Sequence, residues 1–122
     1  MAAGHLISIV DDDASMREAL VGLIRSLGYD LRDFASADDF LASTDFGKFA
    51  CAIADIHMPG MNGFELKREL DMRHPALPVI MITARVDPDI EEKVMSSGAT
   101  CFLRKPFEAQ ILASCLQLVL GI

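Results

Sequence analysis

The chain has 122 residues, 52% of them apolar and 24% charged, which suits one folded domain and excludes a disordered tail. Eighteen Asp and Glu against 11 Lys and Arg leave a net charge of −7, a balance that repels nucleic acid and anionic membranes. Apolar runs such as those at 50–54 and 79–82 are far short of the roughly 20 residues of a membrane span.

Leu6-Ile7-Ser8-Ile9-Val10 reads as a first strand, ended by Asp11-Asp12-Asp13. Ser15-Met16-Arg17-Glu18 has capping-box form, with a hydroxyl to cap and a Glu three residues on to cap back. A helix is predicted from there, with Met16, Leu20, Leu23, Ile24 and Leu27 at helical spacing and Gly28 as its stop. Asp30 to Phe34 is a second strand, polar enough for a sheet edge, and Ser36 caps a brief helix holding Phe40 and Leu41. Residues 51–54 form a third strand of small and β-branched residues ending on Asp55. The run from Met58 to Gly63 is loop chemistry, with a helix over 64–73 after it.

His74-Pro75 and Leu77-Pro78 are breaks before Val79-Ile80-Met81-Ile82-Thr83, the strongest strand signal in the chain. Asp87-Pro88 predicts an N-cap and a first helical position, with Ile90, Val94 and Met95 facing inward and Gly98 stopping the helix. A fifth strand is expected at 100–103 and a last helix at 108–120. Neither repeats nor linkers interrupt the series. Met1 to Val10 lacks the basic start of a signal peptide. Cys51, Cys101 and Cys115 are odd in number without CxxC spacing, so they read as small apolar residues of a reducing cytoplasm.

Five strands alternating with five helices predict an α/β fold, a parallel sheet with helices on both faces. Strands 1, 3, 4 and 5 are nearly continuous in apolar residues, as strands covered on both sides should be. The flavodoxin-like (βα)5 order 2-1-3-4-5 puts the polar second strand at an edge. It also puts a ligand site at the carboxyl ends of strands 1 and 3.

Acidic residues stand at that place: Asp11, Asp12 and Asp13 after strand 1, and Asp55 after strand 3. Converging carboxylates repel and need a counter-charge, and a hard divalent cation such as Mg²⁺ suits oxygen ligands. Thr83 ends strand 4 with a hydroxyl, and Lys105 follows strand 5 before Pro106, a pair able to hold a cis bond. A carboxylate nucleophile, a metal, a hydroxyl and an ammonium are the parts that accept a phosphoryl group, with Asp55 attacking phosphorus to give an acyl phosphate.

The chain resembles a response-regulator receiver domain of two-component signalling, in the CheY-like superfamily and close to its FixJ-like subgroup. The carrying motifs are Ile9-Val10-Asp11-Asp12-Asp13, the run from Asp55 to Gly63, Leu77-Pro78-Val79-Ile80-Met81-Ile82-Thr83-Ala84, and Gly98-Ala99 through Phe102-Leu103-Arg104-Lys105-Pro106-Phe107. Met16-Arg17-Glu18-Ala19-Leu20 and Lys105-Pro106-Phe107 are similar to the FixJ-like wording. The resemblance implies one receiver domain over 1–122, in the cytoplasm, that takes phosphate from a sensor histidine kinase on Asp55. It implies Mg²⁺ held by Asp12, Asp55 and the backbone carbonyl of His57, with Asp11 assisting through water and Asp13 outside the site. Thr83 and Lys105 would bind the phosphoryl group, and Phe102 would turn inward as Thr83 moves. His57 and Arg85 stand where the family tunes autodephosphorylation, the one self-directed activity expected of a domain that is otherwise not an enzyme.

Apolar residues of the last helix (Ile111, Leu112, Cys115, Leu116, Leu118, Val119 and Leu120) cover more than one face. Either a partner covers part of it, such as a second copy bound through helix 4, strand 5 and helix 5 on phosphorylation, or the helix lies deep in the core or belongs to a longer protein. The domain is expected to act alone or as the first part of a FixJ-like transcriptional regulator. Two rival functions stand against this one. A flavodoxin-like flavin or nucleotide binder would want amides around a phosphate after strand 1, where three Asp stand instead, and neither GxGxxG nor a P-loop occurs. An Asp-nucleophile metal-dependent phosphatase would want an acid two residues after Asp55, where His57 stands.

Overall fold

A computed structural model of the chain describes residues 5–43, 48–85 and 87–122, so the first four residues of the Met1 to Val10 start lie outside it. Along the described chain run β1 (Leu6–Val10), α1 (Ala14–Ser26), β2 (Asp30–Phe34), α2 (Ala37–Leu41), β3 (Phe49–Asp55), α3 (Gly63–Arg73), β4 (Val79–Thr83), α4 (Ile90–Ser97), β5 (Cys101–Arg104) and α5 (Ala109–Leu120). The strands pair in parallel in the order β2-β1-β3-β4-β5, the flavodoxin-like arrangement expected from the polar second strand.

Strand side chains alternate between the two faces of the sheet, and the sequence fills each face differently. On one face Ile7, Ile9, Cys51, Ile53, Ile80 and Ile82 pack against Leu20 and Ile24 of α1 and Leu112 and Leu116 of α5. On the other, small Ala52 and Ala54 beside Val10, Val79 and Met81 leave room for Phe40 of α2, Leu66 and Leu70 of α3 and Val94 of α4. The rings of Phe34, Phe40 and Phe49 close that layer with tilted and edge contacts, centroids 5.2 to 6.1 Å apart. Burial pushes the Cys51 and Cys115 thiols up to about 12, so both are neutral and pack as apolar groups.

Several local expectations change. The cap of α1 is Asp13 rather than Ser15: its carboxylate accepts from the Ser15 and Met16 amides, so the helix starts one residue before the hydroxyl. The third Asp thus has a structural job at the start of α1. Before α4, Asp87 accepts from the Asp89 amide in a turn, Pro88 stays in that turn, and the helix begins only at Ile90 with Asp89 as its uncapped first flank. Met95 is 70% exposed and faces away from the core, while Ile90 and Val94 are buried. Strand β5 is half-buried rather than enclosed, because it forms the far edge of the sheet and lacks a neighbour on one side. A true capping box that the loop reading passed over starts α3, where Asn62 Oδ1 accepts from the Glu65 amide and Glu65 Oε1 accepts from the Asn62 amide.

Candidate functional site

The parallel strands end together, so the residues just past β1, β3, β4 and β5 meet along one edge of the sheet. Register fixes the heights: Asp55 pairs with Ile82, which puts Thr83 one step beyond it, and Thr83 pairs with Arg104, which puts Lys105 one step further. Backbone bonds hold each strand end in place, from the Ile56 amide to the Ile82 carbonyl (2.9 Å) and from the Lys105 amide to the Thr83 carbonyl (2.8 Å). The Asp11 amide likewise donates to the Phe34 carbonyl of β2 at 3.1 Å.

Asp11, Asp12 and Asp55 each bring a carboxylate oxygen to within 4.8 Å of the others. The Lys105 ammonium bridges two of them, 3.3 Å from Asp11 Oδ2 and 3.3 Å from Asp55 Oδ2. Asp11 is fully buried, and Asp55 and Lys105 nearly so, whereas Asp12 is open to solvent. Burial pushes the Asp11 carboxyl above its ordinary value. Asp55 adds to this, and the Asp13 amide and Lys105 oppose it. At the spacing found here, each pair of unit charges repels by about 3 kcal/mol at an effective dielectric near 20, and one ammonium cannot neutralise three carboxylates. Three carboxylates against one ammonium leave a formal charge of −2, which one divalent cation would balance. The donors are hard oxygens on two strand ends, a set that fits Mg²⁺.

The remaining expected residues are near the same edge. Asp55 Oδ1 accepts from the His57 amide at 3.1 Å, so the loop after β3 folds over the carboxylate. His57 is half-buried and its Nε2 has no partner among the described residues. Thr83 is fully buried at the end of β4, and its hydroxyl oxygen accepts from the Arg85 amide at 3.1 Å, which leaves the hydroxyl proton free to donate. The Arg85 residue is exposed at the rim. Phe102 is half-buried, packs on the Ala-rich layer, and its ring centroid lies 5.5 Å under the Arg104 guanidinium. The Lys105-Pro106 bond is cis.

Two residues of the quoted motifs support the site in ways their motifs do not state. Arg17 of α1 donates to the Asp11 carbonyl at 2.7 Å and to Asp33 of β2 at 3.2 Å, tying the acidic loop to the edge strand. Gly63 starts α3 directly against the end of β3, where a Cβ would stand 2.8 Å from the Asp55 carbonyl oxygen and 2.9 Å from Ile56 Cα. The glycine is plain in the sequence, but its contact is not, since the chain must fold back across a loop to make it.

The family model of the response regulator receiver domain matches residues 7–117, and the chain belongs to that family. It is 34% identical over 114 residues to the transcriptional regulatory protein FixJ of Bradyrhizobium diazoefficiens, covering 93% of this chain and 55% of that protein. It is 37% identical over 117 residues to the response regulator protein TmoT of Ectopseudomonas mendocina, covering 94% and 52%. The chain thus spans about half the length of the curated relatives it matches. Among solved structures, the response regulator receiver protein of Burkholderia phymatum is 39% identical with a TM-score of 0.85, covering 97% of this chain and 96% of that one. Receivers are signalling modules of two-component systems. No helix among the described residues is long and apolar enough to cross a membrane.

Proposed function

We propose that this domain, running over 1–122, accepts a phosphoryl group on Asp55 from the phosphohistidine of a sensor kinase in a Mg²⁺-dependent reaction. It then signals by altering its protein contacts. The observation that carries the reading is the Lys105 ammonium set 3.3 Å from both Asp11 and Asp55 at the carboxyl edge of the sheet. In the transfer, the histidine N–P bond breaks as the Asp55 Oδ–P bond forms, giving an acyl phosphate and a neutral imidazole once a proton is taken up. The His57 amide and Lys105 orient the Asp55 carboxylate. Lys105 then follows the incoming phosphoryl oxygens, and the free proton of Thr83 is available to the same oxygens. Asp12, Asp55 and the His57 carbonyl would hold Mg²⁺, with Asp11 helping through water. When bound, the ion balances the charge of carboxylates and phosphoryl oxygens.

Thr83 drawn toward the phosphoryl group would open space for Phe102, whose half-buried ring is poised between core and solvent. That movement would alter α4, β5 and α5, where a second copy is expected to bind on phosphorylation. His57 and Arg85, at the rim, would set how fast water reaches the acyl phosphate. The domain would do this either by itself or as the first part of a transcriptional regulator, as the names of its relatives suggest. The test is incubation with Mg²⁺ and acetyl phosphate, read by intact mass. One phosphoryl group should be gained, and Asp55→Asn should abolish the gain. An unchanged rate in that variant would overturn the assignment.

A further inference from the structure

All three cysteines of the chain pack on the same side of the sheet, in the layer that α5 covers. Cys51 of β3 is fully buried there, and its thiol donates to the Ala52 carbonyl at 3.8 Å. Cys101 of β5 and Cys115 of α5 are half-buried and pack against the same cluster, which holds Ile80, Leu112 and Leu116. Register sets Cys101 beside Ile80, and Cys115 lies one turn along α5 from Leu112, so strand and helix each present a sulfur to their shared interface. The two sulfurs meet. The Cys115 thiol donates a hydrogen bond to Cys101 across the packing of α5 on β5.

We propose that Cys101 and Cys115 form a redox-active dithiol, which a low-molecular-weight disulfide converts to a bond joining β5 to α5. One thiolate of the pair attacks the small disulfide RSSR, giving a mixed disulfide and RS⁻, which takes up the proton that the attacking thiol gave up. The second thiolate attacks the protein sulfur of that mixed disulfide. The Cys101–Cys115 bond forms and the second RS⁻ leaves as RSH, so two electrons and two protons pass to the small molecule. The second step is intramolecular between groups already in contact, which favours closure over capping by another molecule. Burial and the bond to Cys101 hold the Cys115 thiol up near 12, which makes it a slow attacker and a poor leaving group. The link is therefore slow to form and, once formed, resists reduction. Under reducing conditions both side chains remain the small apolar groups that the core accepts. Cys51, with no exposure and no sulfur in contact, stays outside the exchange. The chemistry is independent of phosphoryl transfer to Asp55.

The test is incubation of the full chain, under nitrogen, with oxidised glutathione at about pH 8.5, where more thiolate is present than at neutral pH. Remaining thiols are then alkylated in denaturant, and the product is read by intact mass and peptide mapping. The expected product has lost two hydrogens, keeps one alkylatable thiol at Cys51 and holds a single Cys101–Cys115 bond that dithiothreitol removes. The bond closes a loop of about 15 residues, so the oxidised chain should melt several degrees above the reduced one. Cys101→Ser and Cys115→Ser should each stop at the mixed disulfide with glutathione, while Cys51→Ala should close the bond as wild type does. Cys101→Ala and Cys115→Ala serve in place of a serine variant that fails to melt cooperatively. Unfolded in urea, the chain should give all three pairings of its cysteines, so confinement to one pair under native conditions reads the fold. A wild-type chain that stays a dithiol or stops at the mixed disulfide, a native pairing that involves Cys51, bonds between two chains, or an oxidised form that melts below the reduced one would each overturn the proposal.

Discussion

The interior of the sheet and its carboxyl edge are built by the same strands to opposite rules. Val10 is followed directly by Asp11, Ala54 by Asp55 and Ile82 by Thr83, and all six are buried. Inside, position is fixed many times over by dispersion and by removal of apolar area from water, so no single contact decides it. At the edge a few directional bonds do the fixing: two from Lys105, one from the His57 amide and one from the Arg85 amide. The interior is saturated, whereas the edge carries more negative charge than its own cation offsets. A rigid slab thus holds an unbalanced set of carboxylates at fixed spacing, and that imbalance is what gives the edge affinity for a cation and a phosphoryl group.

If that division holds, damage to the interior should lower stability without changing the chemistry of the edge. Phe40→Ala removes a ring with no exposure that packs 5.2 Å from Phe34 and 5.4 Å from Phe49. We expect a loss of about 3–5 kcal/mol in urea unfolding, with Asp55 phosphorylation at the wild-type rate in whatever fraction stays folded. A loss under about 1 kcal/mol would mean that the aromatic layer collapses around the gap. Gly63→Ala lies on the boundary between the two regions. Its Cβ would press on the Asp55 carbonyl and Ile56 Cα, backbone atoms that cannot swing away. It should cost about 1–3 kcal/mol and also slow phosphorylation, which separates it from Phe40→Ala. Asp13→Ala removes the cap of α1 and should cost about 1 kcal/mol, leaving the rate of phosphoryl uptake as it was. A clear fall in that rate would move Asp13 into the site and shift the register of the three acidic residues.

The two regions were not equally legible in the sequence. Periodicity and breakers located each strand to within two residues at either end, because burial on both faces writes itself as a continuous apolar run in β1, β3 and β4. Asp11, Asp12, Asp55, Thr83 and Lys105 were visible as polar residues at the ends of such runs. Edge position was harder to read in β5, where Cys101 and Phe102 look like core residues yet lack a neighbouring strand. Caps were misread where two candidates compete within three residues, as with Asp13 and Ser15, since side-chain reach rather than residue type decides. The Asn62–Glu65 box was legible and simply has Asn where Ser or Thr is usual. Arg17 and Gly63 reach back over one loop to Asp11 and Asp55, and how a loop folds back is not written in residue type.

The smallest expected effect has the opposite sign to the others, which makes it the sharpest check on an over-charged edge. Asp11 is buried beside Asp55, and burial holds its carboxyl above the ordinary value of 3.8. A folded state that binds the proton more tightly than the unfolded one gains stability at low pH. It loses that advantage as pH rises from 3.8 through the folded value. Above that window the full cost of ionising Asp11 weighs on the native state. Asp11→Asn keeps the shape and a hydrogen-bond acceptor for the Asp13 amide but removes the charge, leaving Lys105 to Asp55 alone. In EDTA at neutral pH this variant should therefore melt a few degrees above wild type, and the two curves should converge as pH falls toward 3.8. Adding Mg²⁺ should narrow the gap from the wild-type side, because only the intact cluster carries the charge that the ion balances. A variant less stable than wild type at neutral pH without metal would mean that the Lys105 bridge already neutralises the edge.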